Sequence, residues 1–352
     1  MKNLAAKSRI CKLLSPILVF TLLIGVLSGC AGQTSQASNA TPANSTAGNT
    51  SGTTSSGNAQ GTDAGAGTYK IGFVMKSLSN PFFITMEDAA KVKASELGVE
   101  LISLAPEKET DVEKQMQIVE NLIAQKVDAL CLVPNGSKEL VPAIKKANDA
   151  GIPVFILDTK VDQETLDAAG AHTETFIGSD NYLGGQIAAE ELHKALNGQG
   201  QVVVIEGIGG HETSEARVGG FKDKMAELGG IEIVASQPAN WEQEQGYTVM
   251  QNMLQANPNV VGVFGANDLM ALGAVKAIED ANKLDNIKVV GFDATDDAKV
   301  AIKEGKMMGS IAQYPDIMGA VGVESALKVL GGGVVESVVP VEVGMISAAN
   351  VQ

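Results

Sequence analysis

Cysteine, histidine and cationic residues are all scarce in this chain of 352 residues. The three histidines, His172, His193 and His211, lie without metal-ligand spacing and no other ligating cluster accompanies them, so neither a metal nor a cofactor is expected. Lys and Arg number 26 against 41 Asp and Glu, a formal charge of −15. Nucleic-acid phosphates are met by clustered Lys and Arg, so that class of partner is excluded. Enzyme signatures are missing as well. Gly207-Ile208-Gly209-Gly210-His211-Glu212 follows an apolar run but lacks the last glycine of a dinucleotide fingerprint, and no nucleophile stands with a base.

What is present begins at the N-terminus. Lys2, Lys7, Arg9 and Lys12 precede an almost uninterrupted apolar stretch from Leu13 to Leu27, and Leu27-Ser28-Gly29-Cys30 closes it. This is the order of an export signal, too short to read first as a spanning helix. It resembles a bacterial lipoprotein signal, which implies that Cys30 is acylated and that the chain works outside the cytoplasm, anchored to the membrane. An uncleaved anchor or an ordinary secretory signal are the alternatives. Residues 31–68 are nearly all Ala, Gly, Ser, Thr, Asn and Gln, with Asp63 the one charge. Such a segment buries too little surface to offset chain entropy. It is expected to be a disordered tether, about 37 residues reaching on the order of 30 Å. Residues 1–29 thus read as signal and 30–68 as lipidated cysteine plus tether. The chain left after the signal carries a charge of about −19. With Cys11 in the signal and Cys30 lipidated, Cys131 is alone in the apolar run Ala129–Val133 and reads as a buried thiol.

From Tyr69 onward, short apolar runs alternate with segments of helical periodicity. Tyr69–Met75, Leu101–Leu104, Ala129–Val133, Val154–Leu157 and Phe176–Gly178 read as strands, with helices at Pro81–Leu97, Asp111–Gln125 and Lys138–Ala150. The pattern then restarts. Strands are expected at Val202–Ile205, Ile231–Ala235, Val260–Phe264, Lys288–Gly291 and Gly309–Ala312. Helices are expected at Gly184–Leu196, Arg217–Leu228, Glu244–Ala256, Leu269–Ala281 and Asp297–Lys303. Gly98 and Gly151 sit just past helix ends, where a left-handed residue is tolerated. Two β/α series predict an α/β protein of two doubly wound lobes, each with a parallel sheet. Ligands of such sheets bind beyond the strand C-termini, so facing lobes share one cleft.

The residues at those strand ends are chemically selective. Lys76, Asn80, Phe82 and Phe83 follow the first strand, and Asp158 and Lys160 the fourth. In the second series Arg217 opens a helix, and Trp241, Asn267, Asp293 and Gln313 each follow a strand. Asp158 and Asp293 suit pairs of hydroxyl donors, while the cations and amides donate to hydroxyl oxygens. Aromatic rings cover the apolar C–H face of a sugar ring. A neutral polyol fits this set. Asp268 reads as a helix N-cap.

The motifs Leu78-Ser79-Asn80-Pro81-Phe82-Phe83, Ser179-Asp180-Asn181, Arg217-Val218-Gly219-Gly220-Phe221, Ala235-Ser236-Gln237-Pro238-Ala239, Asn267-Asp268-Leu269-Met270-Ala271, Gly291-Phe292-Asp293 and Ile311-Ala312-Gln313 carry a resemblance. Over essentially all of Tyr69–Gln352 the chain resembles the type 1 periplasmic binding proteins for monosaccharides, the ribose- and allose-type receptors of ABC importers. The resemblance implies three crossovers, near Gly178–Asp180, Ile311–Gln313 and Glu342–Gly344. It implies an N-terminal lobe of 69–178 plus 313–342 and a C-terminal lobe of 179–312 plus 343–352. It further implies a monomer that closes around a monosaccharide and docks on a permease with its ATPase. Ligand positions carried over are Lys76, Asn80, Phe82, Phe83, Asp158, Arg217, Trp241, Asn267, Asp293 and Gln313.

Two departures from the ribose-type pattern, Lys76 for a small polar residue and Thr159 for Arg, together with Lys160 and Trp241, lean toward the allose type. Allose or psicose is therefore favoured over ribose. A sugar-like signal or a sugar alcohol is the alternative ligand. A sugar-responsive transcription regulator shares the fold but needs a basic helix-turn-helix where this chain has its leader and tether. Asp158 with Asp293 as a glycosidase pair is the enzymatic rival.

Overall fold

The computed structural model describes residues 68–352. Cys11, Cys30, the leader and the tether lie outside the described residues, and among those described no helix is long and apolar enough to cross a membrane.

The first series runs β1 (Lys70–Val74), α1 (Pro81–Leu97), β2 (Glu100–Leu104), α2 (Val112–Ala124), β3 (Ala129–Leu132), α3 (Val141–Asp149), β4 (Val154–Leu157), α4 (Gln163–Ala168) and β5 (Thr175–Ser179). The second series runs α5 (Asn181–Ala195), β6 (Gly200–Glu206), α6 (Glu212–Leu228), β7 (Ile231–Pro238), α7 (Gln243–Ala256), β8 (Val260–Gly265), α8 (Asp268–Asp280), β9 (Lys288–Asp293), α9 (Asp296–Lys303) and β10 (Gly309–Ala312). The chain ends with α10 (Pro315–Leu330), β11 (Val338–Val341) and β12 (Gly344–Ser347).

The sheets have the orders β11-β5-β4-β3-β1-β2 and β12-β10-β9-β8-β6-β7, so each strand of one has a topological counterpart in the other. Every pairing is parallel except β10 with β12, a departure from the all-parallel expectation. The chain passes between the sheets three times, after β5, after β10 and between β11 and β12. β1, β3 and β4 are buried on both faces, which explains their continuous apolar runs. Buried side chains form one cluster around the second sheet and two against the first, on which α10 returns to pack beside α1.

Helix starts carry the caps that their sequences allow. Asn80, Asp162, Asp180, Asn267 and Thr295 each accept a backbone N–H from the helix that follows. Gly98 and Gly151 adopt the expected left-handed conformation, at φ 68° and 75°. Two expectations are corrected. Arg217 does not open a helix: α6 starts at Glu212, where the polar Glu212–Glu215 turn hides the start, and Arg217 lies in its second turn. Asp268 is not a cap, because the preceding Asn267 takes that role and Asp268 turns into the interior.

α5 and α6 touch backbone to backbone. A Cβ on Gly185 would lie 2.1 Å from the Arg217 carbonyl oxygen, and one on Gly220 would lie 2.0 Å from that of Tyr182. Both positions therefore need glycine. Their closeness sets Arg217 against Asn181.

Candidate functional site

Asp158 follows β4 and Asp293 ends β9, the counterpart of β4 in the other sheet. Both take left-handed backbone angles, φ 62° and 107°. Such angles cost a non-glycine residue on the order of 1–3 kcal/mol and persist where surrounding contacts enforce them. Each aspartate is buried beside a buried cation. The Lys76 ammonium is 3.3 Å from Asp158 Oδ2, and Arg217 Nη1 is 3.2 Å from Asp293 Oδ1. Each cation also faces an aromatic ring. Lys76 Nζ lies 5.7 Å from the Phe83 centroid, and the Arg217 guanidinium carbon lies 3.8 Å from Phe292 and 5.6 Å from Trp241.

Further hydrogen bonds fix these groups. Arg217 Nε donates to Asn181 Oδ1 at 2.8 Å and Nη1 to the Ala266 carbonyl at 2.8 Å. Gln313 Nε2 donates to Asp293 Oδ1 at 2.8 Å. Asn267 caps α8 through its oxygen while its amide nitrogen donates to the Trp241 carbonyl at 3.3 Å. Asn80 does the same for α1, its oxygen accepting from Phe82 N and its nitrogen donating to the Glu109 carboxylate at 3.1 Å. Phe82 and Phe83 meet edge to face, centroids 5.2 Å apart.

These residues line one small cleft of about 20 Å³ with contributions from both sheets: Lys76, Asn80, Phe82, Phe83, Asp158, Arg217, Trp241, Asn267 and Asp293, joined by Glu109 and Thr213. Gln313 reaches it through Asp293. A wider, open groove shares Phe82 and Asp293 with it, but the ion pair in that groove's wall, Lys299 with Asp296, is exposed rather than buried. Lys160 is not brought into the cleft. It is exposed, with its ammonium 5.3 Å from the Phe176 centroid, whereas Thr159 between it and Asp158 is buried.

Burial sets the electrostatics. Loss of hydration, opposed by Arg217 and Gln313, raises the Asp293 carboxyl to about 6. Dehydration also raises half-buried Glu109 to about 7, against the pull of Lys76 and Asn80. His211, buried and close to Lys76, is lowered to about 4. The Cys131 thiol is pushed up by burial, in keeping with an inert core residue.

The two sides also meet directly. Thr159 Oγ1 donates to Asp158 Oδ2 at 2.9 Å and lies 2.9 Å from Thr213 Oγ1. A carboxylate only accepts, so the single Thr159 hydrogen is committed to Asp158, and Thr213 must be the donor across the cleft. Glu212 N donates to Ser137 Oγ at 3.4 Å, and Lys108 pairs with Glu242 at 3.7 Å.

Sequence reasoning missed Glu109 and Thr213. Glu109 stands in the loop after β2 and Thr213 in the first turn of α6, the helix that follows β6, so the strand-end rule points to both. Gly207, weighed above as part of a nucleotide fingerprint, instead makes room for Trp241, whose indole would lie 2.1 Å from a Cβ there. Trp241 Nε1, Gln313 Oε1 and Asn135 Oδ1 are buried without a protein partner. Such atoms are rare in folded proteins and call for an explanation.

The model of the periplasmic binding protein domain matches residues 71–333, and the chain belongs to that family. It is 40% identical over 283 residues to the D-ribose/D-allose-binding protein of Pseudomonas aeruginosa, covering 78% of this chain and 88% of that protein. It is 34% identical to the D-allose-binding periplasmic protein of Escherichia coli, covering 71% and 81%. An ABC transporter periplasmic solute binding protein from Actinobacillus succinogenes, solved with bound D-allose, superimposes with a TM-score of 0.77 at 40% identity, covering 80% of this chain and 98% of that one.

Proposed function

We propose that the chain is an extracytoplasmic solute-binding protein that captures a monosaccharide between its two sheets and delivers it to an ABC permease. The observation that carries this reading is the pair of buried aspartates, one ending each sheet's central region, each beside a cation and an aromatic ring in one cleft. A sugar hydroxyl bonded to Asp158 and another bonded to Asp293 favour the closed form, because only that form offers both acceptors at once. Phe82, Phe83 and Trp241 supply apolar faces, and Lys76, Asn80, Arg217, Asn267 and Gln313 supply donors. Glu109 adds a third carboxyl.

The lobes that close are 69–178 with 313–342 and 179–312 with 343–352, turning about the three crossovers. Lys76 and Trp241 favour an allose- or psicose-like hexose over ribose. The site binds its sugar without turning it over. Cys30 carries the lipid anchor, and the protein acts as a monomer. A sugar-like signal or sugar alcohol is the second reading, since the same hydroxyl-pairing carboxylates and amides would serve it.

The test is a thermal-shift screen with D-allose, D-psicose, D-ribose, D-galactose, D-xylose, myo-inositol and sugar alcohols, with calorimetry on hits. A ligand of the folded state raises the melting temperature by mass action. A shift with one hexose, without turnover, supports the proposal; no shift with any compound in the panel sinks it.

A further inference from the structure

Asp268 is fully buried and takes no part in lining the cleft. A buried carboxyl group is costly unless its oxygens are satisfied. Here its partners fall at one place. Oδ2 accepts from Thr295 N at 2.7 Å and Thr295 Oγ1 at 3.2 Å, and Oδ1 accepts from Ser310 Oγ at 2.6 Å. Ser310 Oγ in turn accepts from Ala294 N at 2.9 Å. The two consecutive amides after Asp293 are therefore both held from the interior side.

Those amides belong to a strained turn of the site. Asp293 and Ala294 are both left-handed, at φ 107° and 49°, and neither is glycine. Successive N–H groups in such a turn form a concavity suited to an anionic or oxygen group. Asp268 with Ser310 fills it. The neighbouring strand is shaped to admit the carboxyl: a Cβ on Gly291 would lie 2.2 Å from Asp268 Oδ1. Thr295 also accepts from Ala298 N as the cap of α9, so turn and helix start share one network.

We propose that Asp268 is a positioning residue for ligand binding, which with Ser310 holds the Asp293–Thr295 turn so that the Asp293 carboxylate is aimed at the cleft. The inference rests on the sugar-binding reading of that cleft. Without the strut the turn relaxes toward ordinary backbone angles, and Asp293 leaves Arg217 and Gln313.

The experiment pairs two measurements on Asp268→Asn and Ser310→Ala. Ser310→Ala is the milder change and keeps the proposal testable if the other variant folds poorly. Hydrogen exchange at the Ala294 and Thr295 amides reads the turn without any ligand, and calorimetry with D-allose reads binding. Amide exchange at these two positions is expected to speed up in both variants, with affinity falling by about tenfold. Affinity unchanged while the melting temperature falls would reduce Asp268 to a fold-stabilising group and overturn the proposal. Exchange unchanged in both variants would overturn it as well, even if the wild-type protein bound no sugar, an outcome that would separately defeat the sugar reading.

Discussion

The two aspartates solve one problem in different ways. Asp158 and Asp293 occupy equivalent places in sheets of equivalent order, and both are left-handed, buried and paired with a cation. Asp158 is held by Lys76, a compact charge on a flexible stem, and by a threonine hydroxyl that reaches the other side. Asp293 is held by a planar guanidinium locked between Asn181, Ala266 and Phe292, by Gln313, and from behind by the Asp268 network. Arg gives fixed directional donors where Lys gives a movable one. The Asp293 end is thus fixed by many bonds from its own side, and the Asp158 end is joined to the other side through Thr159 and Thr213.

The comparison breaks most visibly on removal of the aspartates. Asp293→Ala leaves Arg217 buried without its carboxylate, a loss of about 3–5 kcal/mol in comparable sites. Sugar affinity is expected to fall roughly a hundredfold or more by calorimetry. Asp158→Ala should weaken binding by at least about tenfold, less than Asp293→Ala because Arg217 is held by more directional bonds than Lys76. Equal losses would mean that the two ends do not differ in preorganisation.

A smaller effect is expected at the bridge. Thr159→Val and Thr213→Val each remove one hydroxyl of the relay and should raise the sugar dissociation rate by about threefold to tenfold. The double variant should be little worse than either single one, since one missing member already breaks the link. Strictly additive effects would show that the hydroxyls act separately.

The smallest effect is pH dependence of stability without ligand. Asp268 is raised to about 8 by burial and by Asp293, and Glu109 to about 7 by burial. Their unfolded forms lose protons near pH 4, so the folded state binds more protons across the interval above. Stability contributed below that pH is lost as pH rises through about 7 and 8. His211, lowered to about 4, acts oppositely, but only below about pH 6.5. The melting temperature should therefore decline between pH 6.5 and 8.5, and Asp268→Asn with Glu109→Gln should flatten that decline. A rise over the same interval would contradict these assignments.

Much of this was legible before the fold was seen. Central strands advertise themselves as unbroken apolar runs because both faces are buried, and α1 was bounded by Asn80, Pro81 and Gly98. α10 escaped notice because its glycines and apolar residues face α1 and the sheet without helical periodicity, and α4 because it is short. β11 carries Pro340 inside its short apolar run, and a proline argues against a strand interior. Within the site, strand-end position found the paired charges. Asp268 stayed hidden because two good capping residues stand side by side, and only the backbone decides which one caps. Lys160 lies two residues from Asp158 yet is exposed, while Thr159 between them is buried and bonded to Asp158, a difference that sequence adjacency does not carry.

The most direct test is a crystal structure of the protein grown with D-allose. The account calls for a sugar in the cleft with separate hydroxyls within hydrogen-bonding distance of Asp158 and Asp293, and a ring face against Phe83 or Trp241. A sugar bound elsewhere, or touching only one of the two aspartates, would contradict it.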